Sequence, residues 1–348
     1  MGPAEALRRI AYLLERDGAE SYKVRAFRQA AIAVDDVGRG RLEQLASSGR
    51  LRDIPNVGET TGRVIAEAIA GGTPSYLVQL ETAQPGALSP DALGLRNMLR
   101  GDCHAHSDWS DGGSPIPEMA EAAIAVGHDY LALTDHSPRL TVARGLTAER
   151  LRSQLEVIAE LNENLAPFRV LTGIEVDILE DGSLDQDEEL LAALDVVVAS
   201  VHSKLRMEAP QMTGRMVAAV ENPHSDILGH CTGRLVTGKG REPSSFDAEA
   251  VFGACARTGT AVEINSRPER RDPPEELLKL ACDLGCWVSI DTDAHAPGQL
   301  EWLGFGCEQA VQAGVAVASV VNSWQADRLL EWTASHGRAF APRRGRTP

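Results

Sequence analysis

From about residue 100 onward, short apolar runs alternate with longer segments whose apolar residues fall three and four apart. The runs LALTD, FRVLTGI, DVVVASV, SDILG and AVEIN read as buried strands. Between them, EMAEAAIAVG, AERLRSQLEVIAELNENL, DEELLAAL, FDAEAVFGACARTG and EELLKLACDLG have helical spacing, and GCEQAVQAGV and ADRLLEWTASHG add helix at the end. Strands alternating with helices predict parallel βα units and an α/β barrel. Earlier in the chain the pattern is helical. Leu7, Ile10, Leu13 and Leu14 share a face, a second helix is predicted through YKVRAFRQAAIAV, and LRDIPNVGETTGRVIAEAIAGG reads as a turn at Gly58 entering a helix ended by Gly71 and Gly72. Turn formers in ETAQPGALSPDALGL predict a connection between the two parts. The expected organisation is a small all-α domain over residues 1–82, a linker over 83–98, a barrel over 99–340 and a tail over 341–348.

The residues that close the apolar runs are mostly histidine, aspartate and glutamate. Side chains alternate along a strand, so His104 and His106 point the same way, as do Asp293 and His295. Glu175, His202 and His230 each stand at the far end of a run, His136 follows LALTD, and Asp111 lies in the loop after His106. Ligands converging from the ends of many parallel strands are what the active face of an α/β barrel supplies. A single histidine at a strand end is usually a hydrogen-bonded structural residue. Six imidazoles and three carboxylates in such motifs instead point to a polynuclear metal site suited to Zn, Mn or Fe, and to a metal-dependent hydrolase. His128, His224 and His336 fall outside these motifs and read as structural or surface residues.

Composition narrows the setting. The 348 residues suffice for one barrel plus a small extra domain. No apolar stretch is long enough to span a membrane, and the amphipathic start MGPAEALRRIAYLLERDG lacks a signal-peptide core, so a cytoplasmic protein without a membrane partner is expected. Six cysteines form no disulfide framework and read as reduced thiols. Charge is uneven. Residues 1–100 carry 13 Lys+Arg against 12 Asp+Glu, which leaves 21 against 38, or −17, for the rest. Such a barrel does not attract a polyanion through its overall field, so any phosphate must be held locally. Arginine supplies nearly all the positive charge, since only Lys23, Lys204, Lys239 and Lys279 are lysines.

The motifs GDCHAHSDWSDG, YLALTDHS, GIEVDI, SVHS, ENPHSDILGHCTGR, AVEINSRPER and DTDAHAP resemble, in this order, those of the PHP (polymerase and histidinol phosphatase) superfamily. The likeness is above all to the PHP domain of bacterial family X DNA polymerases, over roughly residues 100 to 335. The resemblance implies a distorted seven-stranded, TIM-like barrel holding three divalent ions. His104, His106, Glu175 and Asp293 would hold one, Glu175 would bridge to a second held by His202 and His230, and Asp111, His136 and His295 would hold the third. Some relatives have His where this chain has Asp111. Glu175 and Asp293 would serve catalysis, joined by Arg234 and Arg270, whose positions match basic ones in the related domains. Residues 1–82 resemble the small helix-hairpin-helix domain of the same polymerases, with Asn56, Gly58, Thr60 and Arg63 at the DNA contact. Asn56 replaces the hairpin's usual first Gly, and Val64 stands where lyase-active relatives place their Schiff-base lysine, so lyase activity is not expected. Fingers, palm and thumb are missing between the two parts, which argues against polymerase activity.

Three functions stay open on this reading. The first is a phosphodiesterase or 3′–5′ exonuclease acting on DNA ends through metal-activated water. The second is a small-molecule phosphomonoesterase of the histidinol-phosphate or nucleotide type, and the third a nonenzymatic DNA-binding accessory, which the full ligand set disfavours. An amidohydrolase barrel also opens with HxH, but there a carboxylated lysine bridges, whereas Glu175 takes that place here. Trp109 is a candidate either for stacking on a base or for loop packing. The substrate, the metal in each pocket and the oligomeric state are not encoded legibly.

Overall fold

A computed structural model describes residues 1–83 and 86–336, which form two compact units divided after Ala87, apart from the short segment Pro297–Gln299 that groups with the first. The tail expected over 341–348, the last residues of the barrel span, and Gln84 and Pro85 of the linker lie outside the described residues.

The first unit is helical: α1 (Pro3–Arg16), α2 (Ser21–Val37), α3 (Arg39–Ser47), α4 (Glu59–Ile69) and α5 (Ser75–Thr82). Leu7, Ile10, Leu13 and Leu14 of α1 are buried together with Phe27, Ala30 and Val34 of α2 and Val64 and Ile65 of α4. The turn before α4 is held by Asn56 at φ 62°. Asparagine is among the few side chains that tolerate this left-handed conformation, so it can occupy a position that otherwise favours glycine. Gly58 caps α4, and its N–H donates to Thr61 Oγ1 at 2.9 Å.

The second unit opens with a helix where a linker was expected. Residues Pro90–Met98 form α6, started by Pro90 and by Ser89, whose hydroxyl accepts from the Ala92 N–H. Ala92, Leu95 and Leu99 pack against Leu303, Cys307 and Ala310, so the Pro and Gly residues that suggested a connection here start and line a helix that covers the core.

Seven parallel strands follow in sequential spatial order: β1 (Gly101–Ala105), β2 (Tyr130–Leu133), β3 (Arg169–Asp177), β4 (Val196–Ser200), β5 (Ile227–Leu228), β6 (Ala261–Asn265) and β7 (Val288–Asp291). The connections carry α7 (Ile116–Ala125), α8 (Ala148–Leu165), α9 (Glu188–Ala193), α10 (Ala209–Val220), α11 (Ala248–Thr258) and α12 (Glu275–Asp283). After β7 come α13 (Leu303–Ala313) and α14 (Ala326–Ala334). Nearly every strand residue is buried, as parallel strands under helices must be. The barrel closes through a parallel bridge between Ala105 and Ala294 and a bond from the His106 N–H to the Ala294 carbonyl at 2.7 Å.

Asn322 staples that seam. Its amide donates to the Gly101 carbonyl at 3.0 Å and the Ile290 carbonyl at 2.6 Å, and its side-chain oxygen accepts from the Ile290 N–H at 3.1 Å. All three bonds are buried. Asn322→Ala strips them at once and is expected to lower stability by about 3 kcal/mol, roughly one per bond, measured as a lower urea midpoint at unchanged slope.

Candidate metal centre

The strand ends bring all nine donor residues to one face of the barrel. His104 lies within β1 and Glu175 within β3, while His106, His136, His202, His230 and Asp293 follow the C-terminal ends of β1, β2, β4, β5 and β7 by one to three residues. Glu175 is at the centre. Its Oε2 lies 2.8 Å from His136 Nδ1, 3.4 Å from His104 Nε2 and 3.6 Å from His106 Nε2, and its Oε1 lies 2.8 Å from His230 Nε2 and 3.1 Å from His202 Nε2. Five imidazoles therefore share one carboxylate, divided between its two oxygens. Asp293 Oδ1 approaches His106 Nε2 at 3.3 Å and His104 Nε2 at 3.9 Å. Asp111 Oδ1 lies 3.4 Å from both His136 Nε2 and His295 Nε2.

Burial and charge act strongly on this cluster. Burial pushes the Glu175 carboxyl up, but the imidazoles of His202, His104 and His136 outweigh it and hold the group well below the usual carboxylate range. Asp293 is likewise held down, against its burial, by His106, His104 and Arg267. Burial lowers His106 to about 3, helped by repulsion from His295 and His136. His202 is raised to about 9, because Glu175 and Asp177 overcome its burial. Ionised carboxylates facing closely packed imidazoles attract positive charge.

The donor set fits divalent metal ions. Atoms of His106, Asp111, His136 and His295 lie within 4.8 Å of one another, as do those of His104, His106 and Glu175 and those of His136, Glu175 and His202. Several of these atoms, including His104 Nε2, His106 Nε2 and Glu175 Oε2, are buried without a hydrogen-bond partner, the condition of lone pairs that serve an ion. The wider shell orients them. His104 Nδ1 donates to Glu263 Oε1 at 2.5 Å, which leaves Nε2 facing Glu175, and Glu263 Oε2 accepts from the His230 N–H at 2.5 Å. His295 Nδ1 bonds the Asp293 carbonyl at 2.8 Å, which turns Nε2 toward Asp111. His230 and Asp293 both have positive φ, at 20° and 54°, so these fixed bonds hold uncommon backbone conformations at the site.

The centre forms the floor of a cavity of about 550 Å³, walled by Leu140, Leu235, Thr237 and Gly238 and edged by Arg241, Arg267, Glu269 and Arg270. Arg270 Nε lies 3.3 Å and Arg267 Nη1 3.7 Å from Asp293 Oδ2. Arg234 does not face the cavity as expected. Its Nε donates to the Arg270 carbonyl at 3.1 Å and its Nη2 to the Arg271 carbonyl, so it braces the loop that carries Arg270. Trp109 packs against the apolar core cluster that includes Leu146 and Leu151. His128 and His224 are buried outside the cluster, and His336 pairs with Asp226 at 2.9 Å. In the helical unit Asn56, Gly58, Thr60 and Arg63 are all exposed around the start of α4, with Glu59 among them in its first turn.

Sequence reasoning did not single out Glu263, Arg267 or Arg241. Glu263 had a signal, since a carboxylate in the middle of the buried run AVEIN must meet a partner inside. The two arginines had none among so many.

A parallel barrel with imidazoles and carboxylates gathered at its strand ends defines the class of metal-dependent barrel hydrolases. Residues 102–267 match the PHP domain family and residues 2–74 a helix-hairpin-helix domain. A "Probable phosphatase" of Acetivibrio thermocellus is 31% identical over 204 residues, covering 56% of this chain and 78% of that protein. The "DNA polymerase/3'-5' exonuclease PolX" of Bacillus subtilis (strain 168) is 42% identical over 246 residues, covering 70% of this chain. The chain spans 43% of that relative's length. Among solved structures, the histidinol phosphate phosphatase of Lactococcus lactis, complexed with zinc, L-histidinol and phosphate, aligns with a TM-score of 0.45 at 17% identity, covering 62% of this chain and 94% of that one. The chain belongs to the PHP-domain family. Among the described residues no helix is long and apolar enough to cross a membrane.

Proposed function

We propose that this phosphoester hydrolase of the PHP-domain family acts on DNA as a 3′–5′ exonuclease. The observation that carries the choice of DNA is the helix-hairpin-helix domain in the same chain as the phosphoester site. Its exposed turn at Asn56 and Gly58 leads into the N-terminus of α4, where backbone N–H groups suit a phosphate. The name carried by the Bacillus subtilis relative agrees with this reading.

In this reading His104, His106, Glu175 and Asp293 would hold one divalent ion of Zn, Mn or Fe, His202 and His230 with Glu175 a second, and Asp111, His136 and His295 a third. His104 and His106 on Oε2 and His202 and His230 on Oε1 of Glu175 support the first two groups, the contacts of Asp111 with His136 and His295 support the third, and His136, whose Nδ1 also meets Oε2 at 2.8 Å, stands between the first and the third. Divalent ions so held activate water and neutralise phosphate charge. The chain's own part is to position the ester. Arg270 and Arg267, already beside Asp293 at the cavity edge, meet nonbridging oxygens with planar, bidentate donors. Arg234 keeps Arg270 in place through the backbone.

A second reading, a small-molecule phosphomonoesterase, has the support of phosphatase-named relatives. Turnover of single-stranded DNA, bis(p-nitrophenyl) phosphate and p-nitrophenyl phosphate by the metal-loaded protein separates the two. Rapid DNA shortening with slow monoester hydrolysis is expected. Fast monoester hydrolysis with intact DNA would replace the nuclease reading by the second. Within the helical unit, Arg63→Ala is expected to weaken DNA binding and flatten its salt dependence by about 0.7 in log–log slope, with bis(p-nitrophenyl) phosphate turnover unchanged.

A further inference from the structure

We propose that the loop between β2 and α8, residues 137–146, receives the DNA strand next to the ester being cleaved, with Val142 against a base and Arg139 and Arg144 toward the flanking phosphates. This rests on the nuclease reading above.

The loop leaves the site directly, beginning one residue after His136, and Leu140 lines the cavity. It is built to keep one shape. The Leu146 N–H returns to the His136 carbonyl at 2.7 Å and the Gly145 N–H bonds the Leu140 carbonyl at 3.2 Å. Gly145 is required by this closure, because a Cβ there would lie 1.8 Å from the Ser137 carbonyl oxygen. Asp185 holds the other side, accepting from Ser137 Oγ at 3.0 Å and from the Arg139 N–H at 2.7 Å. Arg150 Nη1 donates to the Arg144 carbonyl at 2.6 Å.

A loop fixed on two sides holds Val142 out at 91% exposure, the highest of any large apolar side chain among the described residues. A lone exposed valine is ordinary surface. Here it shares a rigid frame with a cavity-lining leucine and two exposed arginines, within a part of the chain whose net charge is −17. Arg144 bonds a neutral backbone carbonyl, that of Asp108, and the Arg139 side chain, 69% exposed, is ion-paired with Asp185 at 3.5 Å. Local cations on either side of an apolar knuckle complement a strand that presents phosphates on either side of a base, and a rigid loop meets that strand without an ordering cost.

The test compares wild type, Val142→Ser and Val142→Ile on a 5′-labelled single-stranded oligonucleotide and on bis(p-nitrophenyl) phosphate. Val142→Ser is expected to raise KM for the oligonucleotide about fivefold by losing apolar contact, with kcat nearly unchanged, and Val142→Ile to behave as wild type. The small diester should be turned over equally by all three. Arg139→Ala should flatten the salt dependence of kcat/KM on the oligonucleotide by about 0.7 in log–log slope. Wild-type KM in Val142→Ser overturns the proposal, as does an equal loss on both substrates, which would make the loop a support of the metal centre or the docking site of another partner. If the wild type hydrolyses the small diester but no DNA, the nuclease reading itself fails and takes this inference with it.

Discussion

Glu175→Gln is expected to abolish phosphoester turnover, by about a thousandfold or more, in a protein that keeps its fold. The substitution preserves shape and removes one negative charge at the point where His104, His106, His136, His202 and His230 converge. The carboxylate is held down in its pKa against complete burial, and a neutral amide would offer divalent ions held there no charge to share. The circular dichroism spectrum should match wild type, while bound metal and turnover fall together and the urea midpoint drops with the lost metal. Full turnover in the Gln variant would contradict the role given to Glu175.

Glu263→Ala is expected to have the second largest effect, through metal affinity. One oxygen of Glu263 accepts a hydrogen bond from His104 Nδ1 and the other from the His230 N–H, so a single side chain orients donors from two strands. Losing such an orienting partner costs about ten- to a hundredfold in affinity or activity. Because Glu263 acts through His104 and His230, the loss at limiting metal should be largely recovered in excess metal, and Glu263→Gln, which keeps an acceptor, should lose less. A general structural defect would not be rescued in this way. Titration of activity against metal concentration for the three proteins distinguishes the cases.

The barrel, and the gathering of the nine proposed ligands on one face of it, were legible because their signals are local. Most of these residues end or directly follow an apolar run, and a run closed by histidine or a carboxylate shows its buried end without any knowledge of the fold. The helix α8 coincides with its predicted segment from Ala148 to Leu165, a stretch of regular spacing without Gly or Pro. The helix α6 was hidden, since Pro90 and Gly94 suggest a turn while the packing of Leu95 and Leu99 on the core decides for helix. The helix α10 was missed for a like reason, with Pro210 in its first turn and Gly214 inside it.

Arginine roles were the least readable. Arg234 stands four residues after His230 and Arg270 in the loop after AVEIN, yet one braces a loop and the other meets Asp293, whereas Arg267 and Arg241 also reach the cavity. A long side chain can turn toward either of two partners, and only the folded loop decides which. Asn56 shows the opposite case, a departure from the expected glycine that its left-handed backbone explains at once.

The central claim is that the cluster around Glu175 is a metal centre on which hydrolysis depends. Elemental analysis of the purified chain, made alongside turnover before and after chelation, tests it most directly. The account predicts about three divalent ions per chain, loss of turnover in step with their removal, and recovery when Zn, Mn or Fe is returned. Turnover that persists undiminished in protein stripped of metal would contradict it.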